Sequence, residues 1–440
     1  MAAAGLDVAV IEARDRIGGR VWTVRDPNLA VPIELGAEFA HGGAPEVNRI
    51  ARESALGVVD IAGHRWINAR GRLRLADDFG TRVDQVMKRL DPDRSPDRSF
   101  ADALARMRSI NSEDRRLALQ YVAGFEAADP TVISERWLAK EEKGGGPRDD
   151  VRERRIGRVL GGYDNVVRAL AAPVMGRIRL GAVVTRVRWS AGHVRIQAQT
   201  ASGEAVSDIS AKAVIITVPL GVLTAPPGTR ARIELDPPLP SKDRAIRMLA
   251  MGAAVRVSLQ LDEPFWVSPQ FAKRRGDTHF DTMMFISAQS PSPFQAWWTS
   301  YPIHAPLLVG WCGGPAAWAL SREPRDAVVD TAIRSAATLF GMTERTMARR
   351  VRAAFTHDWN NDPYTRGSYS YVGVGGVNAA SALSRPVRGT VYFAGEHADA
   401  SGRNGTVDGA IASGRRAADM LLRNVRSKRA ERNHGCSWLE

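Results

Sequence analysis

The stretch LDVAVIEARDRIGGRVW, residues 6–22, decides the fold class of this chain. Its first half is rich in β-branched residues and ends at an acid, Glu12, which predicts a short strand closed by a carboxylate. In a dinucleotide-binding βαβ unit, an acid at the end of the second strand accepts hydrogen bonds from ribose hydroxyls, about 20 residues after the glycine-rich turn. The stretch therefore predicts an α/β fold with Glu12 as a ribose ligand.

The second half of the stretch carries groups suited to binding an anion. Gly18 and Gly19 let backbone amides approach an anion closely, because they have no side chain. Arg14 and Arg20 offer forked donors to phosphate oxygens. A glycine pair alone is equally an ordinary turn, so this interpretation depends on motifs further along the chain.

Four such motifs follow in order: ELGAEFAHG at 34–42, GGYD at 161–164, VYFAGEH at 391–397 and GTVDGAIASG at 405–414. The last two, a strand that runs into a loop and then a helix start, are the most specific. Together with residues 6–22, these motifs resemble those of the flavin-containing amine oxidases, a family that includes monoamine oxidases, polyamine oxidases and lysine-specific histone demethylases. The resemblance extends over nearly all of residues 6–422.

The resemblance implies a discontinuous, Rossmann-like FAD-binding domain with an inserted substrate domain of mixed sheet plus helices. We expect the FAD-binding domain at 1–45, 155–230 and 375–425, the α+β substrate domain at 46–154 and 231–374, and a polar tail at 426–440. Counting back from Glu12 places the GxGxxG turn before Met1. We therefore expect the natural reading frame to begin upstream, and the chain as given to bind FAD poorly.

The resemblance also assigns the cofactor ligands. FAD is expected to be held non-covalently, because Ser368 stands where monoamine oxidases have the cysteine that tethers the flavin. Val184 matches a valine whose backbone meets the adenine, and the helix that begins near Thr406 directs its amides at the flavin. The implied ligands are Glu12, Arg14, Gly18, Gly19, Arg20, Val184, Gly395, Glu396, Thr406 and Val407.

Four residues are candidates for the substrate side. Tyr371 matches an aromatic wall beside the substrate amine, since an aromatic face attracts a cation. Thr406 occupies the position of the second wall, as in the demethylases, and His41 matches a histidine that borders the flavin. Arg256 stands where family members carry a lysine that holds a water against flavin N5, but an arginine stays protonated and cannot accept a proton.

The strand that carries Arg256 leaves a second interpretation open. Residues 255–261 alternate strictly between apolar and polar side chains, which predicts a half-buried strand. On such a strand, an arginine on the solvated face needs no catalytic role.

The activity implied by the resemblance is that of an FAD-dependent amine oxidase. Hydride passes from the amine α-carbon to flavin N5, oxygen reoxidises the flavin, and the products are an imine or aldehyde and hydrogen peroxide. Two alternatives stay open: another flavin oxidoreductase of the same fold, such as a protoporphyrinogen oxidase or a desaturase, and a truncated, non-catalytic relative. Tyr369-Ser-Tyr371 argues against the long apolar pockets of the first alternative.

Composition and charge restrict the number of domains, the partners and the location that we expect for this chain. A chain of 440 residues exceeds what one hydrophobic core usually supports, so two domains are expected. The net charge of +13 comes from arginines spread along the chain among acids, so a nucleic-acid partner is not expected. The chain shows no spanning segment or signal peptide, which predicts no membrane anchor. Its two cysteines, Cys312 and Cys436, lie far apart without a CxxC pair, which predicts a reducing, cytoplasmic location. The expected partners are a small-molecule amine and O2; the sequence leaves self-association open.

Overall fold

The structure, a computed structural model, describes residues 1–69, 72–144, 156–275, 279–288 and 292–435. Mixed sheets are surrounded by helices, which confirms the α/β class. Within the described ranges, no helix is both long and apolar enough to cross a membrane.

Strands and helices are interspersed along the described parts of the chain. The strands are β1 (Val10–Ile11), β2 (Thr23–Val24), β3 (Ile33–Glu34), β4 (Phe39–His41), β5 (Val58–Asp60), β6 (His64–Ala69), β7 (Arg72–Leu75), β8 (Ile156–Val159), β9 (Ile178–Arg179), β10 (Val183–Ser190), β11 (His193–Gln199), β12 (Ala205–Ala211), β13 (Val214–Ile216), β14 (Glu234–Asp236), β15 (Leu249–Met251), β16 (Ala254–Leu261), β17 (Met283–Ala288), β18 (Ala296–Thr299), β19 (Leu307–Gly313), β20 (Val351–Phe355), β21 (Ser370–Val372) and β22 (Val391–Phe393). The helices are α1 (Pro45–Glu53), α2 (Phe79–Met87), α3 (Phe100–Arg106), α4 (Ser112–Gly124), α5 (Glu135–Gly144), α6 (Asp164–Ala171), α7 (Leu220–Leu223), α8 (Pro240–Arg247), α9 (Pro269–Arg275), α10 (Pro315–Leu320), α11 (Arg325–Leu339), α12 (Glu344–Arg350), α13 (Ala379–Ser384) and α14 (Val407–Gly435).

Two parallel strand pairs join segments that are far apart in the sequence. β1 pairs with β9, with Val10 opposite Ile178, and β13 pairs with β22, with Val214 opposite Val391. Residues 1–45, 155–230 and 375–425 thus meet in space, as expected of a discontinuous domain. The exact boundaries stay a prediction, because β5 pairs with β8 and β14 pairs with β10 across the expected limits.

A seven-stranded sheet in the order β20-β16-β19-β18-β17-β6-β7 forms the other main layer. Its strand β16 lies between β19 and β20, and all eight of its residues are buried. The prediction of a half-buried strand at 255–261 was therefore wrong, because the face that carries the polar residues is covered by other parts of the chain. Alternation of residue types does not distinguish solvent from a buried polar site.

The last helix contradicts one expected boundary. α14 runs without interruption through Val407–Gly435. The limit at residue 425, where a polar tail was expected to begin, thus falls inside a helix. Residues 436–440 of that expected tail lie outside the described residues.

Candidate functional site

A cavity of about 2990 Å³ opens between the parallel strand pairs, the first turns of α14 and the seven-stranded sheet. Pockets for a single drug-sized ligand usually measure roughly 300 to 1,000 Å³. This cavity therefore has room for a large cofactor and a substrate together. All but one of the residues expected at the site line it.

Glu12 lies at the end of β1 and faces this cavity. Its carboxylate accepts a hydrogen bond from the backbone N–H of Arg14 at 2.8 Å. Burial raises the pKa of Glu12 above its usual value, although Arg14 and Arg16 oppose the shift. Val184, on β10, lines the same cavity. A carboxylate that has further acceptor capacity and lies beside open space is suited to accept hydrogen bonds from the hydroxyl groups of a ligand.

The glycine pair forms a tight turn against the cavity. Gly18 has a φ of 100° and Gly19 a φ of 56°, both in the region that side chains disfavour. A Cβ at Gly18 would lie 2.6 Å from the carbonyl oxygen of Val21, so a side chain there is excluded. The turn places the guanidinium of Arg20 beside Glu396, with 2.9 Å between Nη1 and Oε1.

The Arg14 side chain is engaged by protein groups. Its guanidinium donates two hydrogen bonds to Asp362, at 2.8 and 2.6 Å, and one to Thr365 Oγ1 at 2.8 Å. Burial would raise the pKa of Asp362, but hydrogen bonds from His357 and Arg14 outweigh it and hold that pKa well below its usual range. The forked donors of Arg14 are therefore used within the protein, and its expected contact with a phosphate stays a prediction.

Glu396 connects three loops at the cavity wall. Its carboxylate accepts hydrogen bonds from Arg20 at 2.9 Å, from Ser370 Oγ at 2.6 Å and from the N–H of Gly405 at 3.1 Å. Burial would raise its pKa, but Arg20 and the hydrogen bond from Ser370 lower it on balance. Glu396 is thus an ionised, buried carboxylate whose donors come from distant parts of the chain. Gly395, before it, also lines the cavity with a φ of 120°.

The amino end of α14 opens on the same space. Thr406 precedes the helix, and its Oγ1 accepts a hydrogen bond from the N–H of Gly409 at 2.9 Å. Thr406 and Val407 both line the cavity. The unpaired amides and the dipole of a long helix favour negative charge at this end. The structure therefore brings the two predicted residues to a place where a ligand that gains electron density would be stabilised.

Arg256 lies in the cavity wall within a buried charge cluster. Its Nη2 donates to Glu38 Oε2 at 2.6 Å, and its Nη1 donates to the carbonyl of Gly36 at 3.1 Å. Arg158 Nη2 donates to the other oxygen of Glu38 at 2.7 Å, and Trp298 Nε1 donates to Oε2 at 2.9 Å. Burial would raise the pKa of Glu38, but the two arginines lower it. The alternative of a solvated arginine is therefore wrong.

His41, at the end of β4, lines the cavity among aromatic rings. Its ring lies edge-on to Phe125 at 5.3 Å and to Phe39 at 5.8 Å between centroids. Burial, and then the positive charge of Arg65, lower its pKa to about 4. His41 is consequently neutral near pH 7.

Tyr371 is the predicted site residue that the structure does not bring to the cavity. Its side chain is 6% exposed and belongs to a hydrophobic core, where β21 pairs with β15. Tyr369 lines the cavity instead, and its hydroxyl donates to the carbonyl of Phe125. The correction has a simple cause: β21 begins at Ser370, so Tyr369 precedes the paired strand whereas Tyr371 is drawn into the core.

The sequence reasoning also missed Glu126. Its side chain is buried, lines the cavity and has no hydrogen bond or ion pair to any residue that the structure describes. Burial raises its pKa to about 7. Burial, and then the charge of Glu126, raise the pKa of Tyr369. The available signal was an acid between two apolar residues, which is common outside functional sites.

Comparison with known proteins agrees with this geometry. A family model described as "Flavin containing amine oxidoreductase" matches residues 1–422. Polyamine oxidase 4 of Oryza sativa subsp. japonica is 27% identical, with 96% of this chain and 85% of that protein covered. Lysine-specific histone demethylase 1 homolog 3 of Arabidopsis thaliana is 26% identical over 96% of this chain, but the chain spans only 29% of that protein's length.

Solved structures share the architecture. A cyclohexylamine oxidase from Brevibacterium oxydans IH-35A superposes with a TM-score of 0.76 at 19% identity, covering 97% of this chain and 95% of its own. A putrescine oxidase solved with bound putrescine superposes with a TM-score of 0.74 at 21% identity, covering 96% and 95% of the two chains. At these identities the likeness shows the fold, an α/β fold with a Rossmann-like FAD domain.

The Glu38 cluster generates a stability prediction. Replacing Glu38 by Gln should lower the free energy of unfolding by about 3 to 5 kcal/mol, because the guanidinium groups of Arg158 and Arg256 lose their buried counter-charge. Glu53→Gln is the matched control: Glu53 pairs with Arg49 at 2.6 Å but is 59% exposed. That variant should lose only about 0.2 to 1 kcal/mol. Equal effects of the two variants in denaturant titrations would refute a special role for the cluster.

Proposed function

The chain belongs to the family of flavin-containing amine oxidoreductases, and from that premise we propose that it is an FAD-dependent amine oxidase. The observation that carries the proposal is the meeting of Tyr369, Glu126 and the amino end of α14 in one large cavity. An aromatic wall and an acid suit an amine, while the helix end suits a group on which negative charge accumulates.

The residues of the cavity fit FAD. Glu12 would accept hydrogen bonds from the ribose, and the amides around Gly18 and Gly19 would lie near the pyrophosphate. The first amides of α14, next to Thr406, would face the flavin. Among the described residues, Ser368 Oγ is buried at the wall without a partner, so the site has an unused polar group that a ligand can satisfy.

When bound, the flavin would supply the acceptor for the hydride of the amine α-carbon and, after reoxidation by O2, account for the imine or aldehyde and for hydrogen peroxide. The chain's own residues have other tasks. Tyr369 would orient the amine with its ring, which lies against Gly405. The Glu38 cluster would hold Arg256 as a fixed donor at the wall, and the surrounding aromatic rings would exclude water.

Glu126 is the proposed group that receives the amine. Amines enter as ammonium ions near neutral pH, whereas hydride leaves only from the neutral form. A carboxyl with a pKa of about 7 can attract the ammonium when ionised and take its proton. Arg256 cannot do this, because a guanidinium stays protonated.

Charges in the cavity also weigh against the open alternative of a long apolar substrate. Glu126 and Arg65 both line the wall, and neither forms an ion pair with a residue in the described part of the chain. An apolar molecule would leave both desolvated and unsatisfied, which is unfavourable. A polar amine can bond to these charged groups, so it avoids the free-energy cost of leaving them desolvated.

The proposed cofactor linkage is directly measurable. Ser368 cannot form a thioether, and neither Cys312 nor Cys436 lies in a motif that matches the tethering cysteine. Cys312 is buried in a hydrophobic core away from the cavity lining, and Cys436 lies outside the described residues. Acid precipitation of flavin-loaded protein should therefore release all of its FAD into the supernatant. Flavin absorbance that stays with the pellet would contradict non-covalent binding.

The role of Tyr369 is tested against Tyr371. Tyr369→Ala should lower kcat/KM for amines by about 10- to 100-fold, because one positioning wall of the substrate is lost. Flavin content should change little. Tyr371→Phe is the control, since that side chain packs in the core and its substitution should leave kinetics near wild type. If Tyr371→Phe lowered kcat/KM more than Tyr369→Ala did, the aromatic wall beside the amine would be assigned to Tyr371.

Glu126 generates a prediction of pH dependence. Below its pKa of about 7 the carboxyl is protonated and no longer attracts an ammonium, so kcat/KM should fall as the pH is lowered through that value. The Glu126→Gln variant should lack this step, the fall in kcat/KM as the pH is lowered. The ratio of wild-type to variant kcat/KM, plotted against pH, removes the titration of the amine itself.

A second buried acid serves as the internal control. Burial also raises the pKa of Glu34 to about 7, but Glu34 bonds to Thr23 and to the N–H of Tyr163 and does not line the cavity. If the wild-type step persisted unchanged in Glu126→Gln, the titration would belong to another group and the proposed role of Glu126 would be wrong.

A further inference from the structure

Arg65 differs from other arginines of the cavity wall. Four of the others each have a carboxylate oxygen within 2.9 Å, in the pairs Arg14–Asp362, Arg20–Glu396, Arg256–Glu38 and Arg403–Asp408, and the fifth, Arg116, donates to Gln120 Oε1 at 2.9 Å. The Arg65 side chain lines the same cavity, yet it makes no hydrogen bond or ion pair with any residue that the structure describes. Its charge is therefore uncompensated by a direct partner.

Two phenylalanine rings hold the Arg65 guanidinium in place. Its central carbon lies 4.8 Å from the ring centroid of Phe285 and 5.9 Å from that of Phe79. β6 and β17 run parallel with Arg65 opposite Phe285, so strand pairing fixes this arrangement. Burial lowers the pKa of Arg65, although Asp77 and Tyr121 oppose the shift. The two phenylalanine rings keep water from the guanidinium and leave its N–H donors without partners among the described residues.

Asp77 is the acid whose charge acts most on Arg65, but it does not bond to the guanidinium. Asp77 Oδ1 accepts the backbone N–H of Arg65 at 3.0 Å, and its Oδ2 pairs with His64 Nδ1 at 2.8 Å. Both oxygens are thus engaged away from the guanidinium. A planar guanidinium with free donors beside a cavity is suited to a carboxylate, which it can bind through two parallel hydrogen bonds.

We propose that Arg65 binds a carboxylate on the substrate, so that the amine oxidised is one whose far end is an acid. The inference rests on the proposed amine oxidase function and names its substrate class. The amine end would lie by Tyr369 and Glu126. The chain between the two ends would cross Tyr121 and Phe125, whose stacked rings have centroids 5.1 Å apart.

This geometry disfavours a diamine. A second ammonium at the far end would lie beside the unpaired cation of Arg65, and like charges at low dielectric repel strongly. An amine with a carboxylate places opposite charges at both ends of the cavity, one against Arg65 and one against Glu126. The proposed preference thus depends on Arg65, within a cavity that Asp77, Asp84 and Glu141 also line.

Three substrates of equal carbon number test the proposal: 5-aminopentanoate, pentylamine and pentane-1,5-diamine. For the wild-type protein loaded with flavin, kcat/KM should be about 10- to 100-fold higher for 5-aminopentanoate than for pentylamine, and lowest for the diamine. Arg65→Gln should abolish the advantage of the acid and leave pentylamine within about twofold. Arg65→Lys should keep part of it, because the charge stays and the fork is lost.

Arg74→Gln is the matched control. Arg74 lies on the neighbouring strand β7, is exposed and does not line the cavity, so the same charge is removed without touching the proposed site. This control should behave as wild type. If the wild-type protein prefers the diamine, or if Arg65→Gln lowers kcat/KM for all three substrates equally, the proposal is overturned.

Pentanoate provides a readout that needs no oxidation. Calorimetric titration of flavin-loaded protein should show binding to wild type and to Arg74→Gln, with an affinity about 10-fold weaker or worse for Arg65→Gln. Such binding without oxidation of any of the three amines would refute the amine oxidase function but keep an acid-binding site. Equal binding by wild type and Arg65→Gln would refute the Arg65 site itself.

Discussion

The buried carboxylate of Glu396 is the constraint on which the cavity depends. It follows β22 and accepts hydrogen bonds from Arg20, Ser370 and Gly405. These donors come from three segments that the chain brings together only in the folded state. A carboxylate buried without them would be strongly destabilising, so the anion and its donors stabilise one another. The glycine-rich turn, the loop that carries Tyr369 and the start of α14 are consequently held in one arrangement.

Around this centre, the charges of the wall fall into two groups with different physical consequences. Those that support the wall are paired within the protein, as Arg256 is with Glu38. Pairing neutralises them and fixes their geometry, which makes them poor at recognising a ligand. Glu126 and Arg65 have no such partner among the described residues, so each retains its binding capacity for the substrate. In the proposed function, the charges that support the wall and those that recognise the substrate are thus on different residues.

The residues that the sequence predicts on the cofactor side meet in one cavity, because their signals are local, and their contacts with FAD stay a prediction. An acid after a strand, a glycine pair and a strand that leads into a helix each occupy a few consecutive residues, and all of them line the cavity. The prediction of residues on the substrate side was less accurate. Tyr369 and Tyr371 share a motif, and only the pairing of β15 with β21 decides which ring enters the core. The surroundings of Glu38, Glu126 and Arg65 are formed by residues distant in sequence, so no local pattern marks them.

The pKa values of the wall restrict where a proton from the substrate can go. Arg256 is a fixed donor that stays protonated, so it cannot accept one. His41 has a pKa lowered to about 4, which makes its neutral ring a weak base near pH 7. The carboxylate of Glu38 is held in its ionised form by Arg158 and Arg256, which likewise makes it a weak base. Glu126, with a pKa raised to about 7, is the wall residue whose basicity matches the task. With an arginine where the family has a lysine, the proposed proton chemistry therefore falls to Glu126, which lines the same cavity as Tyr369.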